Sequence, residues 1–535
     1  MLRGRIRKIT AAFLTGAFMV TSAWAGMSVM PARGGAESVA KVQRTTISQA
    51  AAGEAAATQA AVDPSTLPDG QVLVGAAKTS MKPDPQKYGG TWETDPAKCK
   101  RLDPAGLPSF AQDDHVAGAG GSPWPENPNC IYMGGFGIGP ANPAVEFEQD
   151  PGLWVRSVAI GDGADTLVLT VIDAEGYLWD YKSKCERCGA KQLGEDLGAE
   201  LGINPKNFVI SATHSHASPD LIGGWGFVPT WYMNQVTAAI KQSVKEAVGN
   251  MKPAAIQVGE ESARGQNSER RDTYRSAEEQ QLTWLRAIDP TTNGTIATVG
   301  AYAAHPTTKG TNGGTASSDW VGVFERGLES RFGGVGLHFM TGLGNMSTSG
   351  GTAMGATLAG LVPGAGTYLT DTNIRIEREL WKQPATNVPL TGLGFPGFFD
   401  REFLTEPSSI QTGKSPDTAP CLSASPFTVE LPATAVRIGS QFALTAAPGE
   451  VFANLTNTLK EKAGAGVVTM PLAQANDALG YMPQSFEMSP VGQQGLGFFA
   501  GGVLIVNYED SYAIDRCTGD KVLESSISML DALRG

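Results

Sequence analysis

Phe208-Val209-Ile210-Ser211-Ala212-Thr213-His214-Ser215-His216-Ala217-Ser218-Pro219-Asp220 is the stretch on which both fold and chemistry turn. Its first six residues form an apolar, β-branched run of strand length, and two imidazoles follow directly. Residues i and i+2 of an extended strand share a face, so His214 and His216 are expected to reach one site together. Upstream, Leu167 to Ile172 is a second such run, ending at Asp173, and the leucines from Leu193 to Leu201 between the two runs have helical spacing. Trp231 to Val248 carries apolar residues three and four apart and is a predicted helix. A strand at Val299 to Ala304, a helix from Trp320 to Phe332 and a strand at Leu337 to Thr341 repeat the unit. This alternation predicts an α/β chain of layered mixed sheets flanked by helices.

Working outward, 535 residues suffice for one large enzyme fold with an appendage. Hydrophobic residues at 41% supply a sizeable core, and 66 glycines without a collagen period imply many tight turns. The balance of 53 acids against 41 bases argues against a nucleic-acid partner. Residues 1–25 read as a signal peptide: Arg3, Arg5, Arg7 and Lys8, then an apolar run too short to span a bilayer, then Ala23-Trp24-Ala25. The mature chain is therefore expected to be secreted or periplasmic, with an uncleaved membrane anchor as the rival reading. Residues 26–68, rich in Ala, Ser and Thr and free of aromatics, read as a flexible linker. Order is expected to begin at Val72, within a catalytic domain covering 69–535 and carrying a proline- and glycine-rich insertion or lid at about 362–424. In an exported chain the six cysteines read as disulfides, including the lone Cys185-Glu186-Arg187-Cys188.

A second histidine ends a second strand, in Ala304-His305-Pro306-Thr307, where Pro306 stops the strand and fixes the backbone beside the ring. Ser317-Ser318-Asp319 precedes the Trp320 helix and reads as its N-cap. Imidazoles at strand ends suit a metal or a proton-transfer pair. The metallo-β-lactamase pattern His-x-His-x-Asp-His fails because position 218 is serine, and the G-x-S-x-G of serine α/β-hydrolases does not occur.

Taken in order, these motifs resemble the neutral, non-lysosomal ceramidases, zinc amidases that cleave the N-acyl bond of ceramide. Val72 to Lys78 is similar to the family's opening strand, Thr213-His214-Ser215-His216-Ala217-Ser218-Pro219 to its Thr-His-Thr-His-Ser-Gly-Pro signature, and Ala304-His305-Pro306-Thr307 to its His-Pro-Thr motif. The resemblance implies a Zn²⁺ held by His214, His305, Glu450 of Ala447-Pro448-Gly449-Glu450, and Tyr481 of Asn476-Asp477-Ala478-Leu479-Gly480-Tyr481. It gives His216 a proton-transfer role and makes Ser347 the match to the family's candidate nucleophile. Here the surrounding sequence, Gly344-Asn345-Met346-Ser347-Thr348-Ser349, departs from the family's Gly-Asp-Val-Ser-Pro. The family's arginine falls on Arg270 or the adjacent Arg271. Only 54 residues follow Tyr481, too few for the ~100-residue immunoglobulin-like domain of better-known members.

The function implied is an exported zinc hydrolase acting on an N-acyl amide, a lipid such as ceramide, to give a carboxylic acid and an amine. Contact with a membrane surface would be transient. Two alternatives stand beside it: a metal-dependent ester or phosphoester hydrolase on the same scaffold, and a non-catalytic lipid-binding relative.

Overall fold

The run opening at Gln71 becomes the centre of a large sheet. In the computed structural model, residues 70–99, 127–136, 140, 142–271, 277–387, 390–391, 400–489 and 508–534 are described. The expected signal peptide (1–25) and linker (26–68) lie outside them. The elements that matter are β1 (Gln71–Ser80), β2 (Trp154–Gly161), β3 (Thr166–Ile172), α1 (Ala190–Leu201), β4 (Phe208–Ala212) and α2 (Thr230–Gly249). They continue with β5 (Lys252–Ser262), β6 (Gln281–Ile288), β7 (Thr295–Tyr302), α3 (Asp319–Phe332), β8 (Val335–Met340) and α4 (Ala353–Leu361). The last group is β9 (Ile374–Pro384), β10 (Thr428–Ile438), β11 (Phe442–Ala446), α5 (Ala453–Ala463), β12 (Val468–Leu472) and α6 (Thr518–Ala532).

The large sheet has the order β8-β7-β6-β5-β1-β2-β3-β4, with Thr367–Tyr368 added against β5. Its interior ladders are antiparallel, while the outermost pairs at both ends, β3/β4 and β7/β8, are parallel. The second sheet runs β9-β10-β11-β12 and also ends in a parallel pair, β11/β12. Within 362–424, Ile374–Pro384 is a regular strand paired with β10 along its whole length.

Period-two alternation sorts the side chains between layers. Phe208, Ile210 and Ala212 join Leu193, Leu197, Val236, Ile240 and Val244 under the helices α1 and α2. Val209, Val158, Val74, Val299 and Leu285 point the other way, onto Val436, Ile438, Leu444 and Met470 of the second sheet. Helices α5 and α6 cover that sheet's far side, so the layers run helices, sheet, sheet, helices. Each of these aliphatic side chains is almost fully buried, which stabilises the fold by about 1.5–3 kcal/mol apiece. Three disulfides, Cys99–Cys130, Cys185–Cys188 and Cys421–Cys517, use all six cysteines. Among the described residues no helix is long and apolar enough to cross a membrane.

Candidate metal centre

Four strands lead to one candidate residue each: β4 to His214, β7 to His305 and β11 to Glu450 just past their C-terminal ends, and β12 through a longer loop to Tyr481. The large sheet curls enough for β8 to approach β4, and Ala473–Asn476, following β12, stitches the two edge strands together. On one side the Ala473 N–H donates to the Met340 carbonyl at 2.8 Å. On the other, the Ala212 N–H donates to Gln474 O at 3.2 Å and the Asn476 N–H to Ile210 O at 2.6 Å. The Asn476 side-chain oxygen takes the Ile210 N–H at 2.9 Å. Tyr481 is thereby carried to the imidazoles.

The strand ends at Ala212, before His214, whose backbone has φ +58°. The two histidines therefore meet through a turn rather than through the alternation of an extended strand. A non-glycine residue in this region costs of order 1–3 kcal/mol and persists only where its surroundings enforce it. Here the His214 Nδ1 donates to Glu175 O at 2.7 Å, leaving Nε2 aimed inward. His305 is set in the same way, its Nδ1 3.2 Å from Met346 O.

The inward atoms crowd together. His305 Nε2 lies 3.0 Å from Glu450 Oε2 and 3.4 Å from the Tyr481 hydroxyl. His214 Nε2 lies 3.5 Å from Glu450 Oε2 and 3.3 Å from His216 Nε2. With both Nδ1 protons given to carbonyls, these Nε2 atoms and a carboxylate oxygen are acceptors facing acceptors, which a cation or an extra proton must reconcile. Donors ~2.0–2.2 Å from a tetrahedral Zn²⁺ stand about 3.3 Å apart, so the observed spacings fit such an ion. The ring nitrogens of His214, His216 and His305 lie within 4.8 Å of one another and could themselves hold a metal.

Electrostatics point the same way. Burial alone would lower His214, but the charge and hydrogen bond of Glu450, followed by Glu175, reverse this and carry it to about 9. Burial would raise Glu450, yet the two imidazoles beside it hold it well below the usual carboxylate range. Burial and then Arg270 bring His305 down to about 4. Burial and the neighbouring His214 and His305 keep His216 neutral, far below its ordinary value. The centre favours positive charge between Glu450 and His214.

The other expected residues line up around it. Arg270 donates to the Tyr481 hydroxyl at 3.1 Å and to Gly344 O at 2.8 Å, and pairs with Glu509 at 3.0 Å. Arg271 points elsewhere, to Asp510 at 3.1 Å and Glu487 O at 2.9 Å. Ser347 is joined to His305 by a backbone bridge and paired with Ser268 in a short two-stranded antiparallel ribbon, which puts it beside the centre and half-buried. Asp319, read as a helix cap, opens α3 and also accepts from Thr308 Oγ1 at 2.6 Å and Lys309 N at 2.8 Å, fastening the His305 loop to that helix.

Four further residues contribute that the sequence reading did not single out. The Tyr508 hydroxyl lies 3.3 Å from that of Tyr481. Phe136 meets the His216 ring edge-on, centroids 5.2 Å apart. Gly135, at φ +86°, lets its loop lie against that ring, where a Cβ would come within 2.2 Å of Cγ. Glu175 is the fourth, an acid three residues past the end of β3 whose position after a strand was its only available clue.

No protein-family description matches this sequence, and no curated protein matches it. Solved structures do. The crystal structure of neutral ceramidase from Pseudomonas aeruginosa matches 87% of this chain and 75% of its own, with TM-score 0.56 at 16% identity. A ceramidase complexed with C2 matches 87% of this chain and 76% of its own, with TM-score 0.55 at 16% identity. The chain thus carries, across most of its length, the mixed α/β fold of the neutral ceramidase structures.

Proposed function

We propose that this chain is an exported zinc-dependent amidohydrolase that cleaves the N-acyl bond of a lipid amide such as ceramide. One observation carries the reading: imidazole and carboxylate acceptors from separate strand ends face each other at 3.0–3.5 Å within a ceramidase-like fold. In this reading His214, His305, Glu450 and Tyr481 hold the ion, a nitrogen-and-oxygen set suited to Zn²⁺. When bound, Zn²⁺ supplies Lewis acidity that polarises an amide carbonyl and acidifies a water molecule.

The chain's own residues do the rest. His216, neutral and half-buried beside His214, accepts the proton of the attacking hydroxyl and returns it to the departing amine nitrogen. The attacking group is the Ser347 hydroxyl or a water. Arg270 and the Tyr481 hydroxyl face the point where negative charge develops on the carbonyl oxygen. Phe136 against His216 supplies an apolar wall fit for an acyl or alkyl chain.

A second reading makes His216 a third imidazole ligand, favoured by the 4.8 Å clustering of the ring nitrogens. Metal analysis of the purified chain, coupled to a panel of N-acyl amides, esters and phosphoesters, tests the function. Stoichiometric zinc with amide cleavage supports it. Cleavage of the phosphoester alone, or a metal-free and inert protein, rejects it.

A further inference from the structure

We infer that Glu175 is a positioning residue for this centre, its side chain steering His214 so that Nε2 stays presented to a cation. The inference rests on the reading of His214 as a ligand. Glu175 approaches His214 at two points: its backbone carbonyl accepts from Nδ1 at 2.7 Å, and its side-chain Oε1 stands behind the same nitrogen at 3.6 Å, outside hydrogen-bond distance. The side chain is sealed in, 3% exposed, and its Oε2 has no hydrogen-bond partner. A buried carboxyl group in that state favours its neutral form unless positive charge stands beside it.

The neighbouring acid cannot share the same donors. Asp220 is saturated by the backbone N–H groups of Ile222, Gly223, Trp225 and Phe227. The Nδ1–H edge of His214 is left as the polar group facing the Glu175 carboxyl, and positive charge reaches it only through that ring. The space is also kept open for it: a Cβ on Gly134 would lie 2.5 Å from the Glu175 Cγ. A carboxylate behind the far nitrogen of a ligating imidazole fixes its tautomer and raises its basicity toward the metal.

The test is zinc affinity of the full chain, measured by chelator competition, alongside the melting temperature of the chelated protein. Glu175→Gln keeps the shape and the backbone carbonyl, and should weaken zinc by ~10–100-fold without lowering the metal-free melting temperature. Gly134→Ala, which displaces the carboxylate, should weaken zinc in the same direction and decides the matter should Glu175→Gln fail to fold. Wild-type affinity in Glu175→Gln, with zinc lost in His214→Ala, overturns this inference and leaves the proposed function standing. A folded wild-type chain that binds no zinc overturns both.

Discussion

Glu450 and Tyr481 face each other as a parallel backbone pair, with the Glu450 N–H donating to the Gly480 carbonyl at 2.8 Å. Two candidate ligands are thus tied together by main chain, independently of anything their side chains hold. Glu450→Gln should therefore leave the metal-free melting temperature within a few degrees of wild type while zinc affinity falls at least ~100-fold, beyond the ~10–100-fold typical of outer partners. Equilibrium dialysis with metal analysis reads this. Unchanged affinity would remove Glu450 from the ligand set.

His216→Ala is expected to retain zinc and lose ~10²–10⁴ in turnover, the range for a missing general acid–base. Loss of zinc together with activity would instead establish the three-imidazole site. Ser347→Ala, assayed on the same amide, separates the two attacking groups: a hydroxyl nucleophile predicts abolished turnover, an attacking water near-normal rates.

His338 lies fully buried against the rings of Trp320 and Phe324, at centroid distances of 4.8 and 5.3 Å, and neither ring nitrogen has a hydrogen-bond partner. Burial depresses it from 6.5 to about 3. Above 6.5 the folded and unfolded chains are both neutral there and no penalty arises. Between 6.5 and about 3 only the unfolded chain takes up the proton, so stability falls with pH at up to ~1.4 kcal/mol per unit. Buried acids elsewhere titrate oppositely, so the contribution is read by difference. In urea unfolding, His338→Leu should gain stability relative to wild type as pH drops from 7 to 4. A pH-independent difference would rule out this titration.

Cys421 and Cys517, 96 positions apart, pin the hairpin formed by Ser408–Gln411 and Leu422–Ser425 to the start of α6. Replacing both with alanine frees a long loop in the unfolded state and should cost ~2–5 kcal/mol of stability. A shift in urea midpoint corresponding to less than ~1 kcal/mol would show that the surrounding packing holds the hairpin alone.

Much of the layered architecture was legible because its strands and helices carry their own periodicity. The helices expected from Trp231 and Trp320 start within one residue of α2 and α3, and the strand at Phe208 begins where expected. Convergence of His214 with His216 was anticipated for a reason that does not hold, since a left-handed turn at His214, not a strand face, brings the rings together. Glu450 and Tyr481 had no local signature and were reachable only through family resemblance. Both follow strands of the second sheet, and nothing in spacing tells which loop reaches across to the first. Arg270 and Arg271 were indistinguishable in sequence, while the structure turns only Arg270 onto Tyr481. Glu175 and Tyr508 act through contacts made only in the folded chain.

The stitch at Ala473–Asn476 gives the site a place in time as well as in space. It joins positions as far apart as Ile210 and Asn476, separated by 266 residues. Contacts of that span form late, because the entropy of closing so long a loop is spent before they stabilise anything. A chain emerging from its N-terminus can complete β1 to β8 and their helices with His214, His216 and His305 already in place, yet without Glu450 or Tyr481. In the proposed ligand set the carboxylate and the phenol come from the last fifth of the polypeptide, so a truncated or half-folded chain is left with the histidine cluster alone.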